Sequence, residues 1–103
     1  RVVDEFGFAS DEGARAGNRL ALLATDTKDW AAGIAIAEQV AREGPVAEAF
    51  EARWGAAFLR RMAGDLAGAR AALAQLIADC KDRPEVEHVA RMSERQLEEM
   101  QGR

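Results

Sequence analysis

The chain contains one histidine and one cysteine, the two side chains best suited to metal or nucleophilic chemistry. Glu85 precedes His88 by three residues, which is the spacing of one half of a carboxylate-bridged di-iron site. A complete site needs a second such half and two further glutamates in one bundle core, and a single copy of this chain cannot supply them. We therefore interpret His88 as a partly exposed residue of a terminal helix. A site shared across a dimer is the alternative.

The other candidate groups also lack the surroundings that chemistry requires. Cys80 has no histidine-rich neighbourhood to activate its thiol and falls on the apolar stripe of a predicted helix, which favours a small core residue. The glycines at 7, 13 and 17 neither follow a strand nor satisfy a phosphate-loop spacing. The sequence therefore predicts a protein that is not an enzyme and that binds no metal or cofactor.

Composition and charge limit the class of protein further. The 103 residues are 49% apolar and 31% charged with a net charge of −4, so we expect one folded domain over 10–103 without the basic excess that nucleic-acid binding needs. The apolar stretch 31–37 is far shorter than the roughly 20 residues that span a bilayer. A lone cysteine suggests a reducing, cytoplasmic compartment. Because the chain begins with Arg1, we expect a processed piece, with residues 1–9 as an N-terminal arm or remnant.

The elements that must carry any site are predicted to be helices, because 23 residues are alanine, the best helix former. Suitable N-caps are Ser10 for helix one, Asp29 or Thr27 for helix two, and Asp65 for helix four, while Gly44 and Gly64 are suitable stops. Helix one is predicted at 11–25, helix two at 30–43, helix three from Pro45 to Gly64, helix four from Asp65 to the break at 81–83, and helix five from Pro84.

Apolar residues at three- and four-residue spacing predict the buried face of each helix. For the two terminal helices the predicted faces are Leu20, Leu23 and Ala24 in helix one, and Val86, Val89, Ala90, Leu97 and Met100 in helix five. The opposite face of helix five is charged and is expected to be solvated.

An internal repeat is the most informative pattern in the chain. The segment 29–33, DWAAG, aligns with 65–69, DLAGA, at a shift of 36 residues, and each copy reads as helix, short acidic break, helix. A period of this length is typical of stacked helical hairpins. The segment 54–81 resembles the core of the tetratricopeptide repeat family through small Ala56 and Ala57, a Gly64-Asp65 turn, small Ala69, and Leu73 and Leu76.

The first copy resembles the same family at Leu20-Ala21, Asp29-Trp30, Gly33 and Pro45. The chain departs from the family at Lys28, where a turn glycine is usual, and at Ala24 in the first copy and Arg60 in the second, where an aromatic is common. The resemblance covers 14–100. It implies an all-α solenoid of antiparallel hairpins, about two repeats and a terminal helix. A related repeat with longer loops and a plain up-and-down helical bundle are the alternatives.

The resemblance also implies a function, because the first helix of each hairpin lines a concave groove in that family. Carried over to this chain, the groove residues are Arg15, Asn18, Leu22 and Thr25 from helix one, Glu51, Trp54, Phe58 and Arg61 from helix three, and Ala90 and Glu94 from helix five. Trp54 and Phe58 are alternatively ordinary core residues. The predicted function is a protein-interaction module that binds a peptide or helix of a protein partner. A structural domain that forms homodimers is the alternative.

The same resemblance predicts a negative result. Members that hold the C-terminal carboxylate of chaperone tails carry Lys and Asn where this chain has Asn18 and Leu22, Asn where it has Gly55, and Lys where it has Glu87. Only Arg91 keeps a matching cation. With so few donors, a terminal carboxylate has one charged partner at best, so we expect no binding of an acidic chaperone-tail peptide in a calorimetric titration. Micromolar affinity would contradict this expectation.

Overall fold

The structure, a computed structural model, describes residues 7–101, and every regular element in that range is helical. This confirms the predicted all-α class. A single helical turn, Ala24–Thr27, follows the first helix, and a 3₁₀ turn, Pro84–Val86, precedes the last. The five main helices are α1 (Asp11–Leu22), α2 (Trp30–Glu43), α3 (Val46–Ala63), α4 (Leu66–Cys80) and α5 (Glu87–Gln101).

Local side-chain chemistry explains where these helices begin and end. Ser10, Asp29 and Asp65 each accept a hydrogen bond from the backbone N–H three residues further on, at 3.0, 3.3 and 2.9 Å. Such caps satisfy N–H groups that have no partner inside the helix. Gly64 ends α3 in the left-handed conformation (φ 97°), which glycine adopts without steric cost. The predicted caps and the bounds of α2 and α4 are therefore confirmed.

The first helix differs from its predicted form in length and in its buried face. It ends at Leu22, and the separate turn that follows it ends at Lys28 in the left-handed conformation (φ 63°). Ala14, Gly17 and Ala21 are its buried residues, whereas the side chains of Leu20 and Leu23 are 51% and 52% exposed. The predicted face was wrong at these two leucines because α1 approaches its neighbours through small residues, and only Ala24 of the predicted set is buried.

Helix α5 also buries a different set of side chains from the predicted one. Val86, just before it, and Val89 are buried as predicted, but the next buried positions are Ser93 and Gln96, while Ala90, Leu97 and Met100 are only half-buried. Ser93 Oγ donates a hydrogen bond to the Val89 carbonyl at 2.8 Å, so its burial leaves the hydroxyl satisfied.

The helix α3 packs against all four other helices and is the centre of the fold. It runs antiparallel to α2, since Gly33 lies beside Leu59 while Val40 packs with Ala52. Helices α1, α3 and α5 run in the same direction, since polar side-chain contacts join them near corresponding ends: Arg15–Glu48, Glu51–His88 and Arg61–Glu99. The helices of the described range lie close together, and none of them is long and apolar enough to cross a membrane.

Two glycines allow the closest helix crossings. A Cβ atom at Gly33 would lie 2.6 Å from the Cβ of Ala24 and 2.7 Å from the carbonyl oxygen of Ala21. A Cβ atom at Gly17 would lie 2.6 Å from Val40 and 2.8 Å from the ring of Phe8. All four distances are shorter than real contacts of a Cβ atom, so only glycine fits at these two positions. Phe8, which falls in the predicted N-terminal arm, is a buried core residue, whereas Val2, Val3 and Phe6 lie outside the described residues.

The face of α3 opposite α1 and α5 is closed by ion pairs. Arg60 Nη2 lies 2.6 Å from Glu38 Oε2, and Arg53 Nη2 lies 2.6 Å from Asp79 Oδ2. Between α2, α3 and α4 there is a cavity of about 210 Å³ beside these pairs. The hydrogen bond from Arg53, followed by one from Gln75, lowers the pKa of Asp79 below its ordinary value. The carboxylate therefore stays ionised and paired near neutral pH.

Close packing of α4 generates a stability prediction at Ala69, which is completely buried. Substitution Ala69→Leu adds three carbon atoms to a packed crossing and should lower the free energy of unfolding by about 1–3 kcal/mol, measured by urea denaturation. The matched control is Ala74→Leu, at an exposed position of the same helix, which should change the stability by less than about 0.5 kcal/mol. Equal denaturation midpoints for the two variants would show that Ala69 does not lie at a helix crossing.

Candidate functional site

A cavity of about 280 Å³ lies between the three parallel helices α1, α3 and α5, with Ala37 of α2 at its floor. We call this surface the groove. Four side chains expected there from the sequence are in its lining: Asn18, Leu22, Glu51 and Trp54. Gly55, which the sequence aligns with a carboxylate-holding position of the repeat family, also lines it. The other lining residues were not expected there: Ala21, Ala37, His88 and Met92.

Polar contacts fix the positions of the groove helices relative to one another. Glu51 Oε2 lies 2.9 Å from His88 Nε2, which joins α3 to α5. Arg15 donates to the Glu48 carboxylate, and the Asn18 amide donates to the Glu48 backbone carbonyl, both at 3.2 Å, which joins α1 to α3. His88, expected to be merely a partly exposed residue, is thus the partner of a groove carboxylate. Arg15, also expected in the groove, joins α1 to α3 but does not line the cavity.

Trp54 belongs to the groove and to the core at once. Its ring stacks on that of Phe58, with centroids 5.5 Å apart and planes inclined by 11°. One part of Trp54 packs against the apolar cluster of α4 and α5 that includes Leu76 and Val89, and another part lines the cavity. Phe58 packs against the cluster around Leu59 and does not line the cavity. The two sequence alternatives, groove and core, therefore both apply to Trp54.

The remaining predicted groove residues lie elsewhere. Arg61 donates hydrogen bonds to Gln96 and, at 3.1 Å, to Glu99, so it ties α3 to α5. Glu94 is exposed and, with Ala90, lines a second and more open hollow of about 610 Å³ beside the loop 81–84. Thr25 is half-buried, and its hydroxyl donates to the Leu22 carbonyl at 2.8 Å. Neither Arg61 nor Glu94 shares the cavity with Trp54.

Two buried polar atoms of the groove have no hydrogen-bond partner among the described residues: Asn18 Oδ1 and Trp54 Nε1. The bond from the Asn18 amide nitrogen to Glu48 determines which of its terminal atoms is the oxygen. Leaving a buried donor or acceptor unsatisfied costs about 1–3 kcal/mol. Both residues line the same cavity, and together they offer one donor and one acceptor.

Gly55 is unusual among the helical glycines. It is buried in the middle of α3 and lines the cavity, yet a Cβ atom placed on it meets no atom within 4 Å. In the middle of a helix, glycine destabilises by about 0.5–1 kcal/mol relative to alanine. Unlike Gly33, Gly55 is therefore not required by packing within the chain, and its effect is to leave the cavity wide at this point.

The groups with catalytic or metal-binding potential do not converge. Glu85 Oε2 lies 3.8 Å from Arg83 Nη1, while His88 contacts Glu51, so Glu85 and His88 have different partners. Cys80 is buried, and the loss of solvation raises the pKa of its thiol, which keeps it protonated at neutral pH. Within residues 7–101, no group of three or more His, Cys, Asp and Glu side chains is arranged to hold a metal ion.

The contrast between the two glycines gives a second stability prediction. Substitution Gly55→Ala should raise the free energy of unfolding by about 0.5–1 kcal/mol, because it improves helix propensity and meets no neighbour. Substitution Gly33→Ala should lower it by about 1–3 kcal/mol, since the added methyl collides with Ala24. Urea denaturation of both variants measures the difference. A destabilised Gly55→Ala variant would show that the space beside this residue is not open.

The geometry of the groove is suited to recognition of another molecule. Its lining is mainly apolar, with the Glu51–His88 pair at one wall, and two of its residues, Asn18 and Trp54, each have a buried polar atom without a hydrogen-bond partner among the described residues. Sites that bind small molecules and peptides commonly combine an apolar lining with a few such polar groups. Comparisons with protein-family models, with curated proteins and with solved structures find no match to this chain.

Proposed function

We propose that this chain is a protein-interaction module that binds a peptide segment of a partner protein in the groove between α1, α3 and α5, and that it is not an enzyme. The observation that carries this proposal is the cavity that brings Asn18, Leu22, Glu51 and Trp54 together. Two of these residues, Asn18 and Trp54, each also have a buried polar atom without a hydrogen-bond partner among the described residues. A bound peptide supplies both apolar side chains and backbone hydrogen-bonding groups, which is what such a lining lacks.

The packing order supports a tetratricopeptide-like array of about two hairpins and a terminal helix. Helices α1, α3 and α5 run in one direction, and α2, α3 and α4 together line the hollow on the other face, so α2 and α4 share a side. The smallest dimension of the molecule is 16 Å, in agreement with two helix layers about 8–10 Å apart. The repeat of 36 residues in the sequence relates the turn before α2 to the turn before α4.

The contacts of two charged residues that were expected in the groove indicate what kind of peptide fits. Glu51 is hydrogen-bonded to His88, and Arg61 to Gln96 and Glu99, so these groups position helices. The surface left for a partner consists mainly of Leu22 and the exposed part of Trp54. Aromatic residues in such positions dominate the binding energy of many interfaces. The proposed partner is therefore a peptide whose affinity comes from apolar side chains.

Self-association is the second candidate function, and the exposed leucines of α1 favour it. Leu20 and Leu23 are about half exposed and lie one helical turn apart, at the edge of the fold rather than in the groove. A second copy could cover this edge. Sedimentation equilibrium at several protein concentrations separates the two candidates: a monomer throughout favours the interaction module, and a dimer that dissociates in a Leu23→Ser variant favours self-association.

The interaction proposal is tested with peptides selected from a random phage-displayed library on the immobilised chain. Substitution Trp54→Ala should abolish binding of the selected peptides, since it removes the largest apolar surface of the groove. Substitution Arg70→Ala should leave binding unchanged, because Arg70 is exposed on α4 and lines none of the groove. Fluorescence anisotropy with labelled peptides measures both affinities.

A stability control is necessary because Trp54 also packs in the core. Urea denaturation identifies a Trp54→Ala variant that is unfolded, and Leu22→Ser then takes its place, since Leu22 is 39% exposed and lines the cavity without being part of the core. A folded groove variant that binds as well as the parent, or loss of binding in Arg70→Ala, would contradict the proposal and favour an interface elsewhere.

A further inference from the structure

We propose that the cavity beside Gly55 is an anchor pocket for one bulky apolar side chain of an extended peptide, such as leucine, methionine or phenylalanine. This inference rests on the proposed interaction function and adds the chemistry of the residue that is recognised. It is carried by three features of the same place in the groove: the size of the cavity, the open space at Gly55, and the two unsatisfied polar atoms.

The size and lining of the cavity suit a single side chain. Its volume of about 280 Å³ lies just below the range of about 300–1,000 Å³ in which drug-sized molecules bind. Ala21, Leu22, Met92 and the ring of Trp54 make most of the lining apolar. Methionine is a flexible side chain that adjusts to the shape of what it contacts. A linear or branched apolar group of moderate size is the occupant that such a lining favours.

The open space at Gly55 distinguishes this cavity from an ordinary packing gap. A methyl group at this position would meet no atom within 4 Å and would improve helix formation, yet the chain has glycine there. Glycine within an element commonly marks a place where another molecule approaches the backbone closely. We infer that the side chain of the partner occupies the space that a Cβ atom of residue 55 would narrow.

The unsatisfied atoms indicate what accompanies that side chain. Trp54 Nε1 is a donor and Asn18 Oδ1 an acceptor, which are the kinds of group that pair with the C=O and N–H groups of a peptide. Both atoms are buried, so insertion of the anchor must separate the side chains that cover them. The gain is two hydrogen bonds that the free protein lacks, which favours an extended peptide with free backbone groups over a helix.

The test uses two capped amino acids as probes, N-acetyl-leucinamide and N-acetyl-glycinamide, which differ only in the apolar side chain. In ¹H–¹⁵N spectra of the whole chain, the leucine probe should produce saturable shifts at the Trp54 indole N–H and the Gly55 backbone N–H. The glycine probe should produce none, and the indole of Trp30, outside the groove, is the internal control. Equal shifts with both probes, or shifts located elsewhere, would overturn the anchor pocket.

A cavity-filling variant makes the test specific. Substitution Gly55→Leu should weaken binding of the leucine probe by about tenfold or more, while Ala74→Leu, which adds a similar side chain at an exposed position of α4, should leave it unchanged. Gly55→Ala, the smaller change, serves if Gly55→Leu does not fold, and it should weaken binding to a lesser degree. Unchanged affinity in the folded Gly55 variant would overturn the inference.

The outcome for the anchor pocket is separable from the outcome for the proposed function. Suppose that a library-selected peptide requires Trp54 but binds the Gly55→Leu variant as tightly as it binds the parent protein. This result overturns the anchor pocket and leaves the interaction function supported. Selected peptides that bind independently of Trp54 and Leu22 overturn both. Both the anchor pocket and the interaction function are supported if the selected peptides share an apolar residue, lose affinity when that residue is changed to alanine, and fail to bind the Gly55→Leu variant.

Discussion

Close approach of helices through small residues is the constraint on which this structure depends. With alanine at 23 of 103 positions, the chain has few large apolar side chains, so it excludes water only where helix backbones come near each other. The tightest of these contacts are made by two glycines. Gly33 lies against Ala24 and the backbone of Ala21, and Gly17 lies against Val40. The larger residues Leu59, Leu73 and Leu76 fill the spaces on either side of the crossings.

The groove is a consequence of the same packing. Because α2 and α4 pack against the other side of α3, the side on which α1, α3 and α5 meet is left to contacts between longer side chains. The pairs Arg15–Glu48 and Glu51–His88 hold these helices at a distance that leaves a cavity between them. The one helical position in the groove that lacks a packing reason for its small size is Gly55.

Helix bounds were predictable from the sequence because the signals for them are local. Asp29, Asp65, Gly44 and Gly64 act on backbone groups within a few residues, and α2 and α4 begin and end where these residues place them. The break after Leu22 had no such signal, since neither glycine nor proline stands there.

The groove was predictable only in part, because its formation depends on contacts between distant segments. Asn18, Leu22, Glu51 and Trp54 were placed there by resemblance to a repeat family, and the cavity lining includes all four. The pairing of Glu51 with His88 spans 37 residues, and no periodicity in either helix indicates it. Gly17 and Ala21 are buried in place of Leu20 because α1 lies very close to α2. The pattern of hydrophobic residues along a single helix does not predict how closely that helix approaches another.

The order in which the helices pack has a further consequence for the kinetics of folding. Each helix packs against the next helix of the chain or the next but one, and α3 touches all the others from the middle of the sequence. Native contacts therefore close short loops, which makes the entropy cost of each step small, and chains of this low contact order fold within microseconds to milliseconds. The pairing of α3 with α2 and the pairing of α3 with α4 each close a loop of only a few residues, so neither step requires distant segments of the chain to meet.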